Sequence, residues 1–357
     1  MDTFEDTDEK HISPTELEFT EQSQEHAVTY PSLFTNRTLV ELCSSSWSRS
    51  PKATADIQPY VRGCKWSPDG TCCLCVVNND GVHVMELPRD LYDGNVNDNR
   101  TIDVLDPVIH VKESGLLYDF CWYPGMNSAI PETCWPGREF SEHKITSPAS
   151  CFATNSNMLA VGSWNTSISL YNINELGSYK SIGKMHGHSG GITHMKFTSD
   201  GLKLISGARK DHRLLVWDIR YYRRPLNILS RVVDTNQRIY FDISPCCNYL
   251  VTGGTNGIVR VWDINQVNWK EELDAMDDTD NVSLKFPLHK DCCNSISIHP
   301  CRPILATGSG QFHFEDPVAE IIDDQVQCNE ETISDVKYSS DSENSLVFWW
   351  IGDVLNV

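Results

Sequence analysis

Short apolar stretches alternate along this chain with clusters of serine, proline, aspartate and glycine. One example is Cys72–Val77, which follows Ser-Pro-Asp-Gly at 67–70 and precedes Asn-Asn-Asp at 78–80. Stretches of this length between turn-forming residues are typical of β-strands joined by hairpins. No long segment of the sequence has the apolar spacing of an amphipathic helix. The pattern therefore predicts an all-β protein.

The β-rich stretches form a repeat. Leu-Leu-Val-Trp-Asp-Ile at 214–219 and Val-Arg-Val-Trp-Asp-Ile at 259–264 lie 45 residues apart. A period close to this with Trp-Asp endings is the signature of WD repeats, each of which supplies four strands to one blade of a β-propeller. The sequence therefore predicts a WD-repeat β-propeller.

One repeat contains four polar or aromatic residues that suggest a buried network. They are His188, Ser206, Asp211 and Trp217. In WD repeats such a set forms a hydrogen-bonded tetrad that ties the strands of a blade together. A Ser-His-Asp hydrolase triad is the alternative, but Ser206 lies in Ile-Ser-Gly and not in a G-x-S-x-G nucleophile elbow. The next repeat lacks Gly-His, so we expect only one complete tetrad.

The number of blades is harder to predict. Segments that look like the first strand of a blade begin near Gly63, Tyr118, Ser150, Gly191, Arg238 and Ser295. Residues 124–150 are too few for three further strands and the approach to the next blade, and 346–351 look like a late strand of the last blade. We therefore expect five or six recognisable blades and an irregular, shortened region at 124–150. The ring is either small and closed or incomplete.

Acidic residues are concentrated outside the predicted strands. The chain of 357 residues has 49 acids and 29 bases and a formal net charge of −20. Nine acids lie in residues 1–30, and further acidic stretches lie at 271–280 and 315–335. These segments have few apolar residues, so we expect a disordered tail at 1–55, a propeller at 56–357 and an acidic loop at 315–340.

One basic region stands out against this acidity. Residues 180–240 have twelve lysines and arginines and four aspartates. The overall charge argues against a protein that coats nucleic acid non-specifically, but it leaves a local basic site open.

Most of the fourteen cysteines are predicted to be reduced core residues of an intracellular protein. The N-terminus has no apolar signal sequence, and no stretch approaches the length of a membrane span. Cys72 and Cys75 form a C-x-x-C, but no second ligand pair follows at zinc-finger spacing. We expect no cofactor and no metal.

Several motifs are more specific than the repeat itself. They are Asp-Thr-Asn-Gln-Arg-Ile-Tyr-Phe-Asp at 234–242, Ser-Gly-Ala-Arg-Lys-Asp at 206–211, Gly-Gly-Ile-Thr-His at 190–194, Tyr-Asp-Phe-Cys-Trp-Tyr at 118–123 and Lys-Asp-Cys at 290–292. Together they resemble the telomerase Cajal body protein family over about residues 61–311 and again at 349–350. The resemblance implies a nuclear, non-enzymatic scaffold that binds a localisation box in small Cajal-body RNAs, in some organisms telomerase RNA, and retains the ribonucleoprotein in Cajal bodies. The family's propeller has seven blades, so the resemblance implies that this chain lacks one to two of them, most of the second and the whole of the third, on the order of 70 residues around 124–150.

Five residues of the basic region are the candidate RNA-binding site: Arg209, Lys210, Asn236, Gln237 and Arg238. In a blade, the turn between the second and third strands lies on the same face as the entry to the first strand. We therefore expect these residues to converge in a groove between two blades, where the cations hold phosphates and the amides and Arg238 contact base edges.

Two alternatives remain open. Residues 220–224 (Arg-Tyr-Tyr-Arg-Arg) form a second aromatic and basic patch, expected on the opposite face. A propeller that binds a protein or peptide, the common use of WD repeats, is the rival function. An enzyme ranks last, because no phosphate-binding loop, metal set or nucleophile elbow is present in the sequence.

Overall fold

A computed structural model confirms the all-β fold and arranges the chain in five sheets. The structure describes residues 33–36, 38–47, 58–93, 96, 102–113, 117, 119–123, 125–130, 149–152, 157–174, 178–264, 284–313 and 343–352. In the described ranges, two short 3-10 turns, Arg89–Asp93 and Ile219–Tyr221, accompany the strands. None of the described helical segments is long or apolar enough to cross a membrane.

Four of the sheets have four strands each, and we call them blades in chain order. The first blade contains β2 (Val61–Trp66), β3 (Cys72–Val77), β4 (Gly81–Glu86) and β6 (Pro107–Val111). The second contains β7 (Ala149–Phe152), β8 (Met158–Gly162), β9 (Ile168–Ile173) and β10 (Tyr179–Met185). The third contains β11 (Ile192–Phe197), β12 (Lys203–Ala208), β13 (Arg213–Asp218) and β14 (Asn227–Ser230). The fourth contains β15 (Phe241–Ile243), β16 (Tyr249–Thr252), β17 (Ile258–Asp263) and β18 (Leu284–Pro287).

The fifth sheet, the closing blade, joins the two ends of the chain. It contains β19 (Cys293–Ile298), β20 (Ile304–Ser309) and β21 (Ser345–Trp350), followed by β1 (Val40–Ser46) and the two-residue β5 (Asp103–Val104). Strand β1 pairs antiparallel with β21, and β5 pairs parallel with β1. The N-terminal strand thus supplies the outer part of the C-terminal blade.

Strand β1 corrects the expected extent of the disordered tail. The prediction of disorder through residue 55 is wrong for residues 40–46, because Leu42 and Cys43 are fully buried in the closing blade. Residues 1–32 and the predicted acidic loop at 315–340 lie outside the described residues.

The segment near Tyr118 corrects the expected number of first strands. Five of the six predicted first strands are present as β2, β7, β11, β15 and β19, whereas residues 119–123 form no strand. The described part of the shortened region, 125–130, contains turns, and β7 begins at Ala149. The late strand expected at 346–351 is β21.

Apolar cores lie between neighbouring blades. One core joins the second and third blades around Trp217, and another joins the third and fourth around Trp262. A third joins the fourth and closing blades around Phe286, and a fourth joins the closing and first blades around Phe348. Within the described ranges, no apolar cluster joins the first blade to the second. Four cores therefore link five blades in an arc.

Candidate nucleic-acid interface

The tetrad residues of the third blade lie in a continuous hydrogen-bonded chain. His188 Nδ1 is 2.9 Å from Asp211 Oδ2, and His188 Nε2 is 2.8 Å from Ser206 Oγ. Trp217 Nε1 donates to the same Ser206 hydroxyl at 2.8 Å. Burial alone would raise the pKa of Asp211, but hydrogen bonds from His188 and Arg213 hold it below its usual range. The chain ties the entry of the blade to its second and third strands.

This geometry does not suit a hydrolase. Ser206 and Asp211 are buried, and the Ser206 hydroxyl is already engaged by His188 and by the Trp217 indole. A substrate carbonyl has no access to such a serine, and Ser206 lies inside strand β12 and not on a strand-to-helix turn.

A second complete tetrad corrects the expectation of only one. In the closing blade, His289 Nε2 is 2.7 Å from Thr307 Oγ1, His289 Nδ1 is 2.6 Å from Glu343 Oε1, and Trp349 Nε1 donates to Thr307 at 2.7 Å. The histidine and hydroxyl residues are 18 positions apart in both tetrads. The acid also precedes the tryptophan by six positions in both, Asp211 before Trp217 and Glu343 before Trp349. The sequence signal is present, but Leu-His replaces Gly-His and residues 310–342 separate the two halves.

The fourth blade uses an arginine where the other two use histidine. Arg231 Nη1 donates to Thr252 Oγ1 and to the carbonyl oxygen of Ile239, both at 3.1 Å. Burial lowers the pKa of Arg231 to about 10. The Trp262 indole nitrogen, in contrast, is buried and has no hydrogen-bond partner among the described residues. Arg231 therefore links both ends of the loop at 232–239 to strand β16.

This loop presents the candidate RNA-binding residues. Val233 and Ile239 are buried in a small cluster with Cys292, which anchors the loop at both ends. Between them Asn236 is exposed and Gln237 half-buried. The backbone N–H of Lys210, in the turn between β12 and β13, donates to the carbonyl of Thr235 at 3.3 Å. Lys210, which is exposed and has a left-handed φ of 49°, thus lies beside Asn236 on one face.

The Arg209 side chain points away from Lys210 and Asn236, toward the second blade. Its guanidinium lies 4.5 Å from the ring centroid of Trp164, in the turn between β8 and β9 of the second blade. Trp164 is 51% exposed. Sequence reasoning missed this tryptophan, although it occupies the same turn of its blade as Arg209 does in the next. An exposed indole beside an arginine is a surface on which a nucleobase can stack.

Gln237 and Arg238 turn toward the propeller axis. Arg238 Nη1 is 3.1 Å from Asp119 Oδ2 and 3.0 Å from the Tyr240 hydroxyl. Gln237 Oε1 is buried and accepts no hydrogen bond among the described residues. The expectation that all five residues converge in one groove is therefore wrong. Lys210 and Asn236 lie together, with Arg209 directed to one side and Gln237 and Arg238 to the other.

The segment 119–123 completes the axial side of this surface. Lys65 Nζ, from β2, donates to the Phe120 carbonyl at 2.6 Å, and the Trp122 indole donates to the Lys65 carbonyl at 2.9 Å. Asp119 also lies 3.7 Å from Lys65 Nζ, so this carboxylate sits between Lys65 and Arg238. Sequence reasoning expected a strand here and did not predict this ion-pair arrangement.

A cavity of about 500 Å³ lies along the propeller axis, next to Lys65, Asp119 and Arg238. Its titratable lining includes Lys65, Arg238, His194, Lys196 and Asp242. Burial keeps the pKa of His194 well below its usual value, and the nearby cations lower it further, so its imidazole is neutral at pH 7. Lys196 is paired with Asp242.

The second basic patch lies on the opposite face. Residues 219–226 connect β13 to β14, where Arg223 and Arg224 are exposed and Tyr221 is 76% exposed. Arg220 is held by Asp218 through a 2.7 Å ion pair. This patch and the candidate RNA-binding residues Arg209 and Lys210 therefore lie at opposite ends of strand β13.

Comparison with known proteins agrees with this architecture. The family model "WD domain, G-beta repeat" matches residues 179–218 and 236–263. Telomerase Cajal body protein 1 homolog of Drosophila melanogaster is 33% identical over 410 residues, covering 93% of this chain and 72% of the fly protein. The Bos taurus protein, telomerase Cajal body protein 1, is 30% identical over 381 residues, with 87% of this chain and 67% of that protein covered. The Homo sapiens protein of the same name is 30% identical over 353 residues, with 78% and 61% covered.

The sheets and the repeat matches define a WD-repeat β-propeller. Within that class, the chain belongs to the telomerase Cajal body protein 1 family. The alignment with the fly protein is longer than the 357 residues of this chain, so it includes stretches that this chain lacks.

Proposed function

We propose that this protein is a non-enzymatic nuclear scaffold that binds an unpaired localisation box in small Cajal-body RNAs and directs the ribonucleoprotein to Cajal bodies. Telomerase RNA is a further cargo where its loop has the same box. The support from similarity is the family name, which associates the relatives with telomerase and Cajal bodies.

The observation that carries the proposal is the junction between two loops on one face of the propeller. The backbone contact from Lys210 to Thr235 brings a cationic turn next to the exposed amide of Asn236. Cations beside amide side chains are what recognition of an unpaired RNA loop requires, because phosphates need positive charge and base edges need paired donors and acceptors.

The residues of this surface have different roles in this proposal. Lys210 and Arg209 contact phosphates. Asn236 and Gln237 contact base edges through the donors and acceptors of their amides. Arg238 is fixed in orientation by Asp119 and Tyr240, so it presents its guanidinium at the axial end of the same surface. Trp164 offers a stacking surface at the outer end.

A filter-binding series at several salt concentrations tests the proposal, using a hairpin RNA with the box in its loop and a hairpin with a scrambled loop. Arg209→Ala/Lys210→Ala should weaken binding of both RNAs and reduce the salt slope by about one or two phosphate contacts. Gln237→Ala and Arg238→Ala should instead reduce discrimination between the two RNAs, by about 1–3 kcal/mol, the range for a lost bidentate base contact in DNA readout.

The matched control is Arg223→Ala/Arg224→Ala, which removes the same charge from the opposite face and should leave box binding unchanged. Thermal melts of each variant separate binding from folding. If Arg209→Ala/Lys210→Ala keeps its stability and binds like the parent while the control variant does not, the RNA lies on the opposite face. If neither variant affects binding, a protein or peptide ligand becomes the better candidate.

A further inference from the structure

A row of potential metal ligands crosses the first blade. In the register of its strands, Cys75 on β3 lies opposite His83 on β4, and His83 lies opposite His110 on β6. Directly opposed residues of antiparallel strands have their side chains on the same face, with Cβ atoms about 4.5–5.5 Å apart. The register alone therefore places two imidazoles side by side near the outer edge of the blade.

The turn between β3 and β4 adds a carboxylate to this pair. The turn consists of residues 78–80, with Asn79 at a left-handed φ of 55°. It returns the chain so that Asp80 Oδ2 is 3.1 Å from His83 Nε2 and Asp80 Oδ1 is 3.7 Å from His110 Nε2. The three ligand atoms lie within 4.8 Å of one another.

These separations suit a small divalent ion. Zn²⁺ binds imidazole nitrogen and carboxylate oxygen at about 2.0–2.2 Å, so tetrahedral ligand atoms are about 3.3–3.5 Å apart. The two distances from Asp80 bracket that range. Two histidines, one aspartate and a fourth position open to water form a ligand set that Zn²⁺ readily accepts.

The ligands differ in burial: His83 is buried and held rigidly, whereas the more exposed His110 leaves a route of entry for the ion. His83 is buried, and its ring packs edge-on against Trp47 at 5.3 Å between centroids. His110 is more exposed, lies on the outer strand β6, and stacks on His83 with ring centroids 4.1 Å apart. Its Nε2 also lies 2.9 Å from the Asp80 carbonyl oxygen. Binding requires His110 to leave that carbonyl and rotate out of the stack, a movement that its position at the edge permits.

We propose that Asp80, His83 and His110 form a binding site for a divalent transition-metal ion of the Zn²⁺ type. The bound ion would fasten the edge strand β6 to the turn between β3 and β4. This inference does not rest on the proposed RNA-binding function. It also differs from the zinc-finger pattern considered for Cys72 and Cys75, because its ligands are imidazole and carboxylate.

Cobalt substitution tests the site in the full chain, reduced and stripped with a chelator. Titration with Co²⁺ should give one saturating equivalent with visible d–d absorption and no sulfur-to-cobalt charge-transfer band, and Zn²⁺ should displace it. Asp80→Asn and His110→Ala should each weaken binding more than about tenfold. Both positions lie at the surface side of the site, and thermal melts without metal verify that the variants fold.

His212→Ala is the matched control. It removes His212 from another histidine–aspartate pair, in which His212 Nε2 is 3.5 Å from Asp234 Oδ1 and no second histidine of the described residues takes part. Metal binding should be unchanged in it. The proposal is overturned if no saturating equivalent is found. It is equally overturned if the complex shows sulfur-to-cobalt charge transfer and keeps its affinity in His110→Ala, because the metal is then bound by cysteines.

Discussion

The buried tryptophan indoles of three blades differ in their hydrogen bonding, and the difference comes from single residues. Trp217 and Trp349 each donate to a hydroxyl that a histidine also contacts. In the fourth blade Arg231 donates to the Thr252 hydroxyl, and the Trp262 indole nitrogen has no partner in the part of the chain that the structure describes. A buried donor without a partner costs about 1–3 kcal/mol. The fourth blade therefore bears a local cost, but it gains a cation that fastens the loop carrying the candidate RNA-binding residues.

The contribution of Glu343 to the free energy of unfolding should depend on pH. Burial alone would raise its pKa, but hydrogen bonds from His289, Ser345 and the Lys290 amide lower the pKa from 4.5 to about 2. A depressed carboxyl pKa stabilises the fold above the unfolded-state pKa, and this contribution is lost as pH falls from about 5 towards 2. Glu343→Gln should therefore reduce the free energy of unfolding at pH 7 by about 2–3 kcal/mol.

Urea titrations of the parent and Glu343→Gln at pH 7, 5 and 3 measure this difference. The gap between the two proteins should narrow as the pH falls, because protonation removes the same charge from the parent. A gap that stays constant from pH 7 to 3 would show that Glu343 acts through packing and not through its charge.

Residue roles were predictable where the pattern is continuous in sequence. The set around His188 lies within 30 consecutive residues, so its spacing is visible. The set around His289 has the same spacing from histidine to hydroxyl and from acid to tryptophan. An acidic insertion separates these two halves and hides the pattern. The ion pair between Asp119 and Arg238 has no local signal at all, because it joins residues far apart in sequence through the fold.

Strand β1 shows how an element can be hidden by its composition. Its sequence, Val-Glu-Leu-Cys-Ser-Ser-Ser, follows a strongly acidic segment and has few apolar residues. Its place in the sheet depends on hydrogen bonds to β21 and on two buried side chains, Leu42 and Cys43. Averaging charge over residues 1–55 therefore concealed a strand that only its distant partner reveals. The strands of the third and fourth blades, by contrast, were predictable from their Trp-Asp endings.

Leu42→Ala tests the contribution of this strand. Leu42 is fully buried between the closing and first blades, so truncation should lower the free energy of unfolding by about 2–5 kcal/mol. Val104→Ala in the neighbouring β5 is the control, because Val104 is 79% exposed and its truncation should change stability by less than about 0.5 kcal/mol. Equal effects of the two substitutions in chemical denaturation would mean that β1 does not close the sheet in solution.

At the scale of the whole molecule, the blades form an arc with two different ends. The first blade has the closing blade on one side and residues 119–130 on the other, where the Ser128 N–H donates to Asp69 Oδ2 at 2.7 Å. The second blade packs on the third, and in the described part no apolar core covers its other side. The alignment with the fly relative includes stretches that this chain lacks, which fits the missing blades expected near 124–150. The chain length predicts a shortened region, because too few residues separate two recognisable strands, and the family resemblance predicts the missing blades.

Amide hydrogen exchange should be faster in the second blade than in the third. A blade is stabilised mainly by its neighbours, so one with a single apolar interface should open locally more often than one with two. The N–H groups of β8 and β9, in the second blade, should therefore exchange faster than those of β12 and β13, in the third, although both pairs lie inside four-stranded sheets. If exchange in the two blades is equal in the present chain, the second blade has a stabilising neighbour and the arc is closed.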